Sequence, residues 1–209
     1  NCSSAASDVY KRQVYNELHI GNYRAALVAD LLSKTLKGIY PKVTFVSNIT
    51  DIDDKIIKEA SKQSCSIKEL THKYYKKFMN DADILGISKP DLQPFATDYV
   101  DEMIKYIQTL LKNKSAYEIS GNVLFEVNKF SNYGCLSGRR IEEQDSGVRV
   151  KIEDYKKNPN DFILWKPSNA NEPGWESPFG YGRPWWHLEC SVMSESVLSV
   201  PFDINGGGN

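Results

Sequence analysis

The feature that most restricts what this chain can fold into is the run from residue 14 to residue 49. A short β-forming stretch, a glycine turn, a helical pattern and a second β-forming stretch follow one another there. Val14 and Tyr15 favour a strand that Asn16 and Glu17 interrupt. From Asn22 to about Lys37, the apolar residues Ala26, Leu27, Leu31, Leu32 and Leu36 recur at helical spacing, and Gly38 suits a C-cap. This pattern predicts a buried helix. Beyond Pro41 the segment VTFVSNI at 43–49 is dense in β-branched and aromatic residues and predicts a second, parallel strand. Strand, helix and parallel strand make a right-handed βαβ unit, whose ligand edge lies at the C-terminal ends of its strands.

His19, Ile20, Gly21 and Asn22 occupy the turn of that unit. A helix N-terminus presents unpaired backbone N–H groups and partial positive charge, so it favours a phosphate; Gly21 lets a flat ring approach the backbone, and His19 can donate to a phosphoryl oxygen. Taken alone, a tight turn with an Asn cap and a surface histidine accounts for the tetrad equally well. At the end of the second strand, Thr50 and Asp51 fall where strand gives way to helix. Asp51, Asp53 and Asp54 fit either a divalent cation or, more commonly, the acidic start of a helix.

Helical patterns follow at 54–63 and at 66–86, the second opening on a capping box from Ser66 to Glu69. Lys73, Lys76 and Lys77 with Tyr74 and Tyr75 read as a solvated face over a tyrosine-lined core, ahead of a nucleic-acid surface. A Pro-bracketed segment at 90–94 leads to a helix from about Ala96 to Lys112. Alternation from Tyr117 to Val127 predicts a hairpin turning at Gly121 and Asn122. Residues 128–160 are polar and charge-mixed and read as exposed loop; residues 161–165 read as a strand. The run 182–190 then passes from a loop into a helix reaching about Leu198, which presents Trp186, His187 and Cys190 near its N-terminal end, where the dipole stabilises a thiolate. On its own a cysteine there is more often a small buried residue than a ligand.

With 209 residues, 41% of them hydrophobic, the chain can bury a sizeable core. Its formal charge of −1 gives no global attraction to a polyanion. Cys2, Cys65, Cys135 and Cys190 show no paired spacing, which argues for a reducing compartment, and no run is long and apolar enough to span a bilayer. A soluble cytoplasmic protein is expected. The order of elements predicts an α/β fold on a Rossmann-like parallel sheet. Residues 1–13 read as an atypical polar arm, 14–95 as the first half of a nucleotide-binding domain, 96–160 as an inserted mixed α/β connective region, and 161–209 as the start of the second half, cut short in its glycine run.

Five segments in this order carry a resemblance: VYNELHIGN at 14–22, NITDIDDKI at 48–56, NPNDFILWK at 158–166, GRPWWHLECS at 182–191 and FDINGGG at 202–208. Together they resemble the catalytic region of the cysteinyl-tRNA synthetase family, class I aminoacyl-tRNA synthetases. The resemblance implies ATP-dependent activation of L-cysteine and its transfer to tRNA(Cys), by a full-length protein expected to be a monomer. It implies that His19 and Asn22 meet the phosphates of ATP, bound with Mg2+, that Ile20 and Gly21 complete that signature, and that Gly206, Gly207 and Gly208 lie beside the adenosine. It likewise implies that Thr50 and Trp186 line the cysteine pocket and that Cys190 ligates an active-site Zn2+, whose preference for a thiolate over a hydroxyl rejects serine.

The chain departs from the family pattern at several places. Tyr10, Lys11, Arg12 and Gln13 stand where the family carries Cys-Gly-Pro-Thr, Asn205 stands for His, and Phe95 stands for Arg before Ala96 and Thr97. The remaining family ligands, a His and a Glu, fall beyond Asn209. The chain by itself is therefore expected neither to hold zinc tightly nor to aminoacylate tRNA. The rival readings are the related ligase that joins cysteine to an amino sugar in mycothiol synthesis, and a non-catalytic binding module derived from a synthetase.

Overall fold

The computed structural model describes residues 12–134 and 156–206. Its elements fall into two compact units, one of Asn1–Tyr99 with Glu189–Gly208 and one of Val100–Leu188 with Asn209.

In the first unit, β1 (Arg12–Gln13) pairs in parallel with β2 (Ile49–Thr50), Arg12 opposite Ile49 and Gln13 opposite Thr50. Val46 and Ile49 bridge in parallel to Leu92 and Phe95. Ser47 N donates to Leu92 O at 3.1 Å and Ile49 N to Pro94 O at 2.9 Å. The strand expected over 43–49 is shorter because Phe45 N donates to the Asp91 carboxylate at 2.7 Å, and Pro90 and Pro94 bring no N–H to a ladder. The first strand lies just before Val14, in the last two residues of the expected arm, and Val14 follows it into the core at 1% exposure.

Helix α1 (Ile20–Lys37) corrects the expectation of a buried helix. Its buried residues are Tyr23, Ala26, Asp30 and Ser33. Tyr23 and Ala26 pack on Phe78 and Ala82, the Tyr23 and Phe78 rings stacking at 5.9 Å. Leu27, Leu31 and Leu32 are exposed, with Ile20 and Val28 beside them. A helix that is apolar on two sides needs two packing partners, and the described residues supply one. Gly38 caps its C-terminus as expected.

Helices α2 (Asp54–Lys62) and α3 (Ile67–Ile84) pack through Ile56, Ala60 and Leu70. The acidic cluster before α2 contains its cap, since Asp53 Oδ1 accepts from Ile56 N at 2.8 Å. The capping box of α3 is present: Glu69 N donates to Ser66 Oγ, and Ser66 N donates to Glu69 Oε2. On α3, Lys77 pairs with Glu17, and Tyr75 OH donates to Gln93 Oε1. Phe95 stacks on His72 at 5.9 Å and meets Tyr75 edge-on at 5.1 Å. A 3-10 turn, Ala96–Tyr99, ends this part of the chain.

The second unit holds α4 (Val100–Lys112) and strands β3 (Ala116–Ile119), β4 (Asn122–Phe125), β5 (Phe162–Pro167) and β6 (Gly182–Pro184). The four strands form one sheet in chain order, every pair antiparallel. The hairpin turns at Ser120 and Gly121, one residue earlier than expected, both with left-handed φ of 51° and 75°, the geometry that matches the twist of two-residue hairpins. Asn122 heads β4. The strand beginning after Asp161 does not open the second half of a parallel sheet, as expected; it pairs antiparallel with β4 and β6. Val123, Leu124, Leu164 and Trp165 bury the shared surface of β4 and β5. The larger sheet of this α/β chain is therefore antiparallel, and among the described residues parallel pairing is confined to a few residues of the first unit. The expected loop at 128–160 falls largely on 135–155, outside the described residues. Helix α5 (Trp186–Leu198) closes the described order.

Candidate active site

His19 is the N-cap of α1, and its side chain shapes the turn. Its Nδ1 accepts from Gly21 N at 3.1 Å, while Asn22 Oδ1 accepts from His19 N at 3.1 Å, a reciprocal pair that satisfies two end groups of the helix. An Nδ1 that accepts carries no proton, so the ring proton of the neutral imidazole sits on Nε2 and is free to donate outward. The ring is exposed, as are Ile20 and Gly21. No acidic residue occupies the first turn, so the positive end of the helix dipole is uncompensated there. The turn also explains Gly21. A Cβ at that position would lie 2.8 Å from His19 Cε1 and would push the ring out of its capping place.

At the end of β2, Thr50 and Asp51 point to different partners. Thr50 Oγ1 donates to Glu189 Oε2 of α5 at 2.9 Å, and both residues are fully buried. Asp51, 7% exposed, accepts from Thr97 N at 2.9 Å and from Thr97 Oγ1 at 2.5 Å. Burial pushes the Asp51 carboxyl above its ordinary value, and the two Thr97 bonds pull part of the way back. The folded protein therefore holds this proton to higher pH than the unfolded chain does. Its contribution to stability is greatest below the ordinary carboxylate value of 3.8 and is lost as pH rises through the folded one. The stability of wild type relative to Asp51→Asn is expected to fall in urea unfolding as pH rises above the ordinary value of 3.8; a difference that rises with pH would contradict this.

Cys190 follows Glu189 in the first turns of α5 and is half-buried, without a disulfide. Gly206 is half-buried, while Gly207 and Gly208 lie outside the described residues, as does the side chain of Trp186. The structure thus brings Thr50 to Glu189 and gathers His19, Gly21 and Asn22 into one cap. Glu189 and Thr97 were not singled out from sequence. The signal for Glu189 is a carboxylate set among Leu188, Val192 and Met193, all buried, where an amphipathic helix would place an apolar residue.

Among the described residues, no three His, Cys, Asp or Glu side chains converge to hold a metal ion. Glu189, the acid nearest Cys190 in sequence, has an oxygen committed to Thr50. The described donors do not fit the expected zinc centre. No helix among them is long and apolar enough to cross a membrane.

A helix capped by an exposed histidine follows one strand of a parallel pair in this mixed α/β chain. Residues 8–209 match the family of tRNA synthetases class I (C), catalytic domain, and the chain belongs to that family. Its curated relatives include the cysteine--tRNA ligase of Pelagibacter ubique, 49% identical over 197 residues, which are 93% of this chain and 44% of the relative. The cysteine--tRNA ligases of Gluconobacter oxydans and Rhodospirillum rubrum are 46% and 48% identical, over 94% and 93% of this chain and 43% and 42% of their own lengths. The chain spans less than half of the relatives it matches.

Proposed function

We propose that the intact protein activates L-cysteine with ATP and transfers the cysteinyl group to tRNA(Cys). The observation that carries the activation step is the His19 cap. With Nδ1 held by Gly21 N, the Nε2 proton points away from the cap and is left to a ligand at the start of α1, where phosphate oxygens are favoured. In this reading the amino-acid carboxylate attacks the α-phosphorus of ATP, bound with Mg2+, and pyrophosphate leaves. The chain contributes position and charge stabilisation rather than a covalent intermediate. His19 donates to a phosphate oxygen, Asn22 fixes the His19 backbone, Gly21 leaves room for the ring, and the glycines at 206–208 lie along the adenosine.

The choice of cysteine is supported by the names of the relatives and by Thr50, Trp186 and Cys190 at the positions of the family's amino-acid pocket. No step is derived through zinc. We read the parallel alignment of residues 12–13, 46–50 and 92–95 as the beginning of a Rossmann-like sheet, and the protein as a cytoplasmic monomer. Incubating the intact protein with labelled cysteine, ATP and tRNA(Cys) transcript is expected to give cysteinyl-tRNA. Label that appears instead as an amide on an amino sugar would favour the mycothiol-type ligase, and no label on either acceptor would favour a binding module.

A further inference from the structure

We infer that Glu189 is a positioning residue of the amino-acid pocket: its bond to Thr50 sets where α5 lies against the end of β2, and so where Cys190 is held. This inference rests on the proposed function, in which Cys190 stands at a position of the amino-acid pocket. Thr50 and Glu189 are 139 positions apart and join end to end at 2.9 Å with neither side chain exposed. A buried carboxylate is expensive to desolvate, and a well-packed apolar residue in its place is often as stable or more so. What an apolar residue does not supply is direction. A hydroxyl donating to a carboxylate fixes both rotation and depth of the first turn of α5, and the N-terminal end of that helix supports the negative charge.

Each residue of a helix turns about 100° from the last, so the rotation that fixes Glu189 also fixes Cys190. Thr50, being enclosed, serves in this arrangement as the anchor on β2. Cys190, the next residue of the helix, is half-buried. A shift of about 1 Å in such a contact typically costs up to about 100-fold in a reaction that depends on orientation.

The test is cysteine-dependent pyrophosphate exchange by the intact protein, with KM for cysteine and for ATP measured separately. Glu189→Ala, and Glu189→Asp, which keeps the charge but shortens its reach by one methylene, are expected to raise the cysteine KM about 10- to 100-fold. The ATP KM is expected to stay within about twofold, since the His19 cap is untouched. Thr50→Val should match them and add nothing when combined with Glu189→Ala, because both remove one bond. Glu189→Gln keeps an acceptor for Thr50 and should restore most of the wild-type value. A merely structural role would lower the melting temperature and leave the cysteine KM unmoved in every folded variant, and that result would overturn the inference. If Glu189→Ala does not fold, the Asp, Gln and Val variants decide it. A wild-type protein without cysteine-dependent exchange would overturn the proposed function and this inference with it; exchange with an unmoved cysteine KM would overturn the inference alone.

Discussion

Replacing Asp161 with alanine is expected to destabilise the unit of residues 100–188 by about 3–5 kcal/mol. Asp161 is 1% exposed and gathers three separate strands of chain. Its Oδ1 accepts from Val127 N at 3.0 Å, and its Oδ2 accepts from Tyr117 OH at 2.8 Å and Asn158 N at 3.2 Å. Tyr117 OH in turn accepts from Lys157 N at 3.0 Å, and the Lys157 ammonium lies 4.2 Å from the centre of the Tyr117 ring. Burial first, and then the adjoining Asp161 carboxylate, hold the Tyr117 hydroxyl protonated, its pKa pushed up to about 12. Alanine would leave the buried Val127 N–H, the part-buried Asn158 N–H and a phenol without their acceptor, and each fully buried loss costs about 1–3 kcal/mol. Asn in that place keeps one acceptor oxygen but turns an NH2 toward donors, so it should recover less than half the loss. Urea unfolding of the three proteins measures this, and a loss below about 1 kcal/mol for alanine would show that solvent replaces the carboxylate.

His19→Asn is expected to leave stability within about 0.5 kcal/mol of wild type, because Asn is among the best N-cap residues and can still accept from Gly21 N. The same substitution removes the outward Nε2 donor. Amino-acid activation is expected to fall about 100- to 1,000-fold, the usual cost of deleting one donor aimed at developing charge. His19→Ala removes cap and donor together, so it should show the same rate loss with about 1 kcal/mol of added instability. Gly21→Ala should resemble it, through displacement of the ring. Thermal melts with pyrophosphate exchange separate the two roles. If His19→Asn keeps its rate within a few fold, the histidine is a cap and nothing more.

Where the sequence could be read depended on how local the controlling interactions are. The capping box at Ser66 and Glu69, the acidic helix start at Asp53 and the hairpin near Gly121 are written in a few neighbouring residues, and each lies within a residue of its expected place, whereas 182–184, read as loop, pairs with β5 as strand β6. The pairing of the strand after Asp161 depends on which partner presents a matching apolar face. Here Val123 and Leu124 of β4, both buried, pair with Trp165 and Ile163, and nothing in residues 161–165 names them. Helix α1 misled for a related reason. Its leucines mark a face made for burial, but spacing cannot say whether the described residues bury it, and here Leu27, Leu31 and Leu32 face outward.

The site divides in the same way. His19, Gly21 and Asn22 are neighbours, so the strand-to-helix turn announces their cap. Glu189 and Thr50 meet across most of the chain, and only three-dimensional packing discloses the pair. Asp51 with Thr97 is the same kind of contact.

The central claim is that the His19 turn and the Thr50–Glu189 pair beside Cys190 belong to an enzyme proposed to couple ATP to L-cysteine. Exchange of labelled pyrophosphate into ATP by the intact protein, with cysteine and serine each supplied in turn, tests it most directly. Label is expected in ATP with cysteine and only at background with serine, and it should be lost in His19→Asn. Equal labelling with both amino acids, or none with cysteine, would contradict the account.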